Sequence, residues 1–372
     1  MRRIFFASFV PVAAVGIALA RGRKTEEVAP PPPPPPVAAP AAAEPPAPPA
    51  PKLFPDGLPV VISTLPAGLP SLSAQGCNAC HGDAHDTWLG SAHAHAGESA
   101  AFRDAVRTAG NSTACTQCHL PLATQHDPLA AGYIDGDLSR PRLEPNPSFD
   151  ATLRGEGVTC VACHVRDGVV LGVHASTNAP HPLVVSAELT DSAMCATCHQ
   201  LTWAGADRPF YDTYGEWKAS AYGSAGVSCQ ACHSGHADPD PRRALSALLH
   251  LDHPSLQRGQ PVPVKLTLQN TGAGHHFPTG NPWSEARIDV VLLDGAGKDL
   301  APAFSTVLAR EVEPTAPYRT LSDNRLAAGA QMSLAHDFIP NVKGVPGRGA
   351  VEVLLTRDGE TIVLTRVGVD VL

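Results

Sequence analysis

The sequence predicts a mixed architecture: a mainly α-helical and irregular region with short helices, followed by a small all-β, sandwich-like domain. Three observations carry the prediction. All ten cysteines fall between Cys77 and Cys232, in five pairs of identical spacing. After about Ala244 the cysteines stop, and runs of β-branched residues begin, separated by glycine, asparagine and aspartate turns. A Pro/Ala-rich stretch sets both regions apart from an apolar N-terminus.

Residues 1–20 read as a secretory signal peptide or an N-terminal membrane anchor. Met1-Arg2-Arg3 is a basic start, and Ile4 to Ala20 is an apolar run of 17 residues. Ala18-Leu19-Ala20 offers small residues at cleavage spacing. Arg21, Arg23 and Lys24 directly after it are equally consistent with an anchor, and the run is at the short end of the roughly 17–25 residues a span needs. No cysteine stands near the end of the run, which argues against a lipoprotein. Either way the bulk of the chain is expected to be exported, to a periplasm or a cell surface.

Residues 21–51 form a Pro/Ala-rich linker with seven consecutive prolines, Pro30 to Pro36. Such a stretch favours polyproline II. At about 3.1 Å per residue it reaches on the order of 80 Å, enough for a tether to a membrane or larger envelope assembly.

Residues 52–243 hold the five cysteine pairs: Cys77/Cys80, Cys115/Cys118, Cys160/Cys163, Cys195/Cys198 and Cys229/Cys232. Each second cysteine is followed by a histidine: His81, His119, His164, His199 and His233. This is C-x-x-C-H, the signature of covalent c-type haem attachment. Two thiols on one helical turn add to the porphyrin vinyl groups, and the next imidazole reaches the iron from the same face. Structural zinc would use the pairs in twos, and five is odd; zinc also gives no reason for a histidine after every pair. Disulfides suit an exported chain, but a two-residue spacing is typical of redox sites. Five haem c groups are therefore expected. The motif spacings of 38, 45, 35 and 34 residues are too irregular for a solenoid. Short helices and long loops should surround the porphyrins, with helical stretches at about Asp86–Thr108 and Pro209–Tyr222 and a single turn at Thr113–His119.

Seventeen histidines less the five proximal ones leave twelve to close the second faces of the irons. A second histidine gives an electron-transfer centre; an open face binds small molecules. From position alone, His181, His174, His236 and His126 are distal candidates. His126 lies in a proline-flanked loop seven residues after His119 and bears on whether one iron stays open.

Residues 244–372 show strand patterns at Val262–Leu268, Ala286–Leu293, Val351–Leu354 and Thr361–Val367, with turns at Asn270-Thr271-Gly272 and Asp358-Gly359. This part has no cysteine.

Four further segments carry a resemblance. Trp88-Leu89-Gly90-Ser91-Ala92-His93 is similar to a W-x-x-S-x-H element. Gly155-Glu156-Gly157-Val158-Thr159-Cys160 is similar to an E-G-V-x-C lead-in. Glu216 to Tyr222 with Gly226 to His233 is similar to a related segment, and Asn270 to Gly280 to an N-x-G-A-G-H-x-x-P-T-G element. Together they resemble the multihaem cytochrome family that includes the tetrahaem electron acceptor of hydroxylamine oxidoreductase. The resemblance implies distal ligation by His93 and by His275. The second W-x-x-S-x element ends in Tyr222, read as a packing or hydrogen-bonding residue. Lysine-type attachment motifs, common in enzymatic relatives, do not occur.

The expected function is electron transfer between redox partner proteins through five closely packed, mostly bis-histidine haems. The alternative is oxidoreduction of a small nitrogen or sulfur oxyanion at one open haem, for which Arg103, Arg107, Arg154 or Tyr222 could supply the cationic or acid/base group, although the sequence places none of them near an iron. The formal charge of −8, with no Lys/Arg cluster, argues against nucleic acid. Haem propionates would add further negative charge, so a docking partner should present a basic face.

Overall fold

The computed structural model describes residues 50–108, 112–137, 140–233, 236–237, 239–340 and 343–372. The expected signal or anchor, and nearly all of the Pro/Ala linker, lie outside the described residues. Among those described, no helix is long and apolar enough to cross a membrane.

The first half is built from short helices: α1 (Ala74–Asn78), α2 (Gly82–Leu89), α3 (Ala100–Thr108), α4 (Thr113–His119), α5 (Ala151–Gly155), α6 (Cys160–His164), α7 (Ala193–His199), α8 (Thr213–Lys218), α9 (Ala221–Ser224) and α10 (Cys229–His233). Several start on a side-chain cap that accepts otherwise orphaned N–H groups. Ser73 caps α1, Asp150 caps α5 through Thr152 N and Leu153 N, and Ser220 caps α9.

The long helix expected over Asp86–Thr108 is two helices. The break follows Gly90, where buried Ser91 donates to Trp88 O at 2.6 Å and the His93 carbonyl is taken by Val158 N at 2.9 Å. The second of these bonds takes a carbonyl that a continuing α-helical ladder would need. The Pro209–Tyr222 segment likewise divides into α8 and α9. Two small sheets that the sequence patterns did not announce complete this half. One pairs β1 (Leu129–Tyr133) with β2 (Pro141–Glu144), and the other orders β3 (Val165–Arg166), β4 (Val169–Gly172) and β5 (Leu183–Val185).

The second half holds β6 (Leu245–Leu251), β7 (Ser255–Leu256), β8 (Val262–Asn270), β9 (Ala286–Leu293), β10 (Phe304–Leu308), β11 (Arg310–Val312), β12 (Thr320–Asp323), β13 (Gln331–Phe338), β14 (Gly347–Arg357) and β15 (Glu360–Val371). One sheet has the order β10-β9-β14-β15-β7, and another β13-β8-β6. Alternation sets the buried faces: Val264, Leu266 and Leu268 on β8, and Ile288, Val290 and Leu292 on β9. Residues of both sheets join one apolar core that also takes in Phe277, Phe338, Val353 and Leu355. Burying each such side chain contributes about 1.5–3 kcal/mol. The strands announced by the sequence are present, β9 with the expected bounds and β8, β14 and β15 longer than expected. Those missed include β6, where Leu248 faces outward, and β13, where His336 takes a place on the inward face.

The two halves have different interiors. In the first, buried apolar side chains fall into three separate small groups, around Leu122 and Val161, around Leu53 and Leu171, and around Trp88. No such division occurs in the β core. At the boundary between the halves, Thr271 N and Gly272 N both donate to Ala244 O, at 3.1 and 3.2 Å. A Cβ at Gly272 would collide with the Arg243 carbonyl, so only glycine allows this approach.

Candidate haem-binding sites

Four of the five C-x-x-C-H motifs lie within or end a helix: α4, α6, α7 and α10 each stop at the motif histidine. Each of these is a helical turn that delivers two thiols and an imidazole to the same side. The first motif departs from the expected single turn, and Cys80 is where it does so. Cys77 lies in α1, but that helix ends at Asn78, and Cys80 falls in the turn between α1 and α2. Cys80 N and His81 N both donate to Cys77 O, at 3.2 and 2.9 Å. His81 then leaves the helical conformation (φ −116°, ψ 44°) to become the N-cap residue of α2. The turn is thus closed once and not continued. Burial also differs among the attachment cysteines. Cys80, and Cys232 in the fifth motif, are exposed, whereas the other eight are partly buried. The first and fifth motifs therefore bring their second thiol to the molecular surface.

Three motif histidines face a histidine from elsewhere in the chain. His199 faces His93 with ring centroids 6.3 Å apart. His164 faces His236 at 6.1 Å, and His233 faces His275 at 6.2 Å. Two imidazoles bonded to one metal at roughly 2.0–2.1 Å per bond, with a ring radius added on each side, stand about 6 Å apart. The spacing fits one iron per pair. Every pair joins a motif histidine to a non-motif histidine, which chance packing would not arrange three times over.

The other ring nitrogens agree. His164 Nδ1 is 2.8 Å from Leu171 O, His119 Nδ1 is 2.7 Å from Ala96 O, and His275 Nδ1 is 2.8 Å from His276 O. A carbonyl on Nδ1 fixes the tautomer that leaves Nε2 as the ligating atom. Burial also favours the neutral, ligating ring. It presses the pKa of His164, His119 and His275 down, and takes His199 to about 4, with the charges of His93, His233 and His275 adding to the effect.

The remaining candidates are placed differently. Nε2 of His126 is engaged with Leu120 O at 2.6 Å. His174 is exposed on the loop after β4. His181 holds a buried Nδ1 that has no hydrogen-bond partner. Among the described residues no histidine ring faces His81 or His119 at the 6 Å spacing; the ring of Phe102 instead stacks on His119 at 3.8 Å. Arg103 and Arg107 pair with Glu98 and Asp104 at the surface. Arg154 lies over the Phe149 ring at 5.9 Å, and its charge helps depress His126, below the larger effect of burial. Tyr222 donates its hydroxyl to Thr271 O at 2.9 Å.

The W-x-x-S elements position these groups through one device, used twice. Trp88 Nε1 donates to Val158 O at 2.9 Å, and Val158 N donates back to His93 O at 2.9 Å. Trp217 Nε1 donates to Val227 O at 2.9 Å, and Val227 N donates to Tyr222 O at 3.0 Å. Each valine stands two residues before a motif cysteine, Cys160 or Cys229. Gly157, with φ +58°, lets the first hook close, because a Cβ there would sit 2.6 Å from His93 O.

Two residues that sequence reasoning did not single out for a role hold the attachment helices. Glu156 accepts from Ala74 N at 2.9 Å, from Thr159 Oγ1 at 2.6 Å and from Ser73 Oγ, tying the lead-ins of the first and third motifs together. Arg166, 3% exposed, donates to Ala162 O at 2.6 Å, to Val161 O at 3.1 Å and to Val165 O, satisfying the end of α6. Only the E-G-V-x-C resemblance drew attention to Glu156, and nothing in the local sequence marks Arg166.

Cys77 neighbours Cys160, Cys118 neighbours Cys198, and Cys195 neighbours Cys229, while Cys163 lies within electrostatic reach of Cys195 and Cys198. The first motif thus adjoins the third, and the second and fifth adjoin the fourth. Beside the second and fourth, Tyr211 senses the thiols of Cys115, Cys118 and Cys198, after a larger effect of burial. It stands edge-on to Phe210, in a cluster with Trp203, Trp283 and Tyr318 that joins the helical half to the β half.

The family described as Cytochrome c554 and c-prime matches residues 76–133. No curated protein matches the chain. Among solved structures, a penta-heme cytochrome c552 from Thermochromatium tepidum is similar at 17% identity and a TM-score of 0.55, covering 80% of this chain and 98% of that one. An alkylpurine DNA glycosylase AlkC from Pseudomonas fluorescens is 18% identical over 35% of this chain and 30% of that one, with a TM-score of 0.21. The CARDB domain of a Pyrococcus furiosus protein is 11% identical over 37% of this chain and all of that domain, with a TM-score of 0.22. These last two carry no argument. The family match and the penta-heme neighbour support a multihaem c-type cytochrome with covalently bound haem c: a cytochrome-like region followed by a β-rich part.

Proposed function

We propose that this chain is an exported five-haem electron-transfer protein in which at least three irons are held between two histidines. The three facing pairs, His93/His199, His236/His164 and His275/His233, carry the reading. Haem supplies a one-electron couple whose potential its axial ligands and surroundings set. The chain's own residues hold and orient the imidazoles. Carbonyls of Leu171 and His276 fix the tautomers of His164 and His275, and the two tryptophan hooks fix the lead-ins of the third and fifth motifs. The adjoining thiols of neighbouring motifs argue for closely spaced groups, so an electron entering at one end need cross only short gaps. The exposed Cys80 and Cys232 favour the first and fifth motifs as the places where electrons enter and leave. His181, with its buried unpartnered Nδ1, is the natural further ligand.

A second reading draws on His126. Its Nε2 is occupied by Leu120 O rather than aimed at His119. In that reading the iron of the second motif stays open and takes a small nitrogen or sulfur oxyanion.

Haem content per chain, from mass spectrometry and the pyridine haemochrome, tests the count of five. Low-temperature EPR of the oxidised holoprotein separates the two readings. Low-spin signals at every iron support the carrier, and one high-spin iron that binds nitrite supports the enzyme. Fewer than three low-spin irons would overturn the proposal.

A further inference from the structure

The side chain of Glu216 is 2% exposed and stands between the helical half and the loop that bears His275. Its Oε1 lies 2.9 Å from Arg325 Nη2 and 3.4 Å from His276 Nδ1. Its Oε2 accepts from Thr279 Oγ1 at 2.8 Å and from His276 N at 3.2 Å. Arg325 is itself only 6% exposed and is held from its other side by Asp323 at 2.9 Å. A buried carboxylate held by two hydrogen bonds on Oε2 and paired with the Arg325 guanidinium on Oε1 does not move without breaking them.

What Glu216 grips is the residue after a proposed ligand. His276 donates its N–H to the carboxylate, and its carbonyl accepts from His275 Nδ1 at 2.8 Å. The His275 carbonyl is fixed in turn by Asn270 Nδ2 at 2.8 Å. Glu216 also belongs to α8, whose next residue, Trp217, hooks the lead-in of the motif that ends in His233. One short helix therefore touches both sides of the 6.2 Å gap between His233 and His275.

We infer that Glu216 is a positioning residue for the fifth haem: through His276 it holds His275 at bonding distance from the iron carried by His233, with α8 as the spacer between the two ligands. This rests on His275 being an axial ligand, as proposed above. Its energetic logic is that of an outer partner fixing a metal ligand, where loss of the partner loosens the metal bond although the ligand remains.

The test uses the purified holoprotein and three variants: His275→Ala, Glu216→Ala and Glu216→Gln. Haem content, EPR spin state and carbon monoxide binding on reduction are read for each. His275→Ala should keep its haems but show one more high-spin iron than the parent. Glu216→Ala should reproduce that one-haem conversion in spectrum and carbon monoxide uptake. Glu216→Gln keeps an oxygen for Thr279 and His276 and should stay low-spin. Asp294→Ala is the structural control: its carboxylate pins a distant β turn through Ala296 N, Lys298 N and Val345 N, so it should lower the Tm without adding a high-spin iron. If Glu216→Ala does not fold, Thr279→Val removes one bond from the same carboxylate and should shift the midpoint potential of a single haem. Parent-like spectra in His275→Ala would defeat the ligand assignment itself. An added high-spin iron in His275→Ala, with parent-like spin state and potentials in Glu216→Ala or its substitute, would overturn the positioning role alone.

Discussion

His93 and Tyr222 occupy the same place in two copies of one hook: the carbonyl of each accepts the N–H of a valine two residues before a haem-motif cysteine, at 2.9 and 3.0 Å. The copies diverge at the side chain. His93 faces His199 across a gap that fits an iron, whereas Tyr222 turns its hydroxyl to Thr271 O just after β8. The same backbone device thus presents a proposed ligand in one copy and a seam contact in the other.

The hook gives the first prediction. Trp88→Phe keeps the apolar body but strips the donor from Val158 O. Leaving that carbonyl unpaired should cost about 1–3 kcal/mol. Denaturant unfolding of the holoprotein measures it, and Trp217→Phe should behave alike at Val227 O.

His93→Ala removes one ring of the pair it forms with His199. With haem attachment unchanged, one iron should pass from low to high spin and take up carbon monoxide when reduced. Optical titration of the variant against the parent checks this, and unaltered spectra would remove His93 from the ligand set.

The acid limb of stability has a defined sign. Burial opposes ionisation of Asp323, but the bonds and charge of Arg325 outweigh it and hold the carboxyl at about 2. A carboxylate depressed from roughly 4 in the unfolded chain contributes stability above that value and loses it as pH falls through the folded one. Between about pH 4 and pH 2 the parent should therefore lose stability more steeply than Asp323→Asn. Thermal melts across that range read the difference.

At the seam, Gly272→Ala places a methyl against the Arg243 carbonyl. Relieving the clash should cost about 1–3 kcal/mol, as overpacking does elsewhere. Tm measurements would register it, and haem content should not change.

The attachment motifs were legible as chemistry because covalent linkage demands Cys-x-x-Cys-His whatever the fold. Their local shape was less so: at Cys80 the helix stops inside the motif, since the chain must free His81 to start α2, and the spacing alone does not announce that. The β half was legible where one sheet face is buried, as in β8 and β9, and missed in β13, where the alternation puts Ala335 outward and a histidine, His336, inward. Distal ligands were harder. His93 and His275 came from resembled segments. His236, the partner of His164, was one candidate among several, because only tertiary packing brings together residues 72 positions apart. The long helix at Asp86 was misread for a similar reason: a helical propensity yields to hydrogen bonds from the bend at Val158, between α5 and α6, that no local window contains.

The thiol contacts between motifs have a consequence for how the molecule is made. Cys77 with Cys160, Cys118 with Cys198, and Cys195 with Cys229 each join two different motifs. A chain that closed into this arrangement with its sulfurs still free would offer an oxidant three cross-links between mismatched partners. On the proposed haem attachment, each porphyrin would be stitched on before tertiary closure, or a reductant would keep the sulfurs apart until it is. The crowding that the proposed electron route needs is what makes a premature fold a dead end on the assembly line.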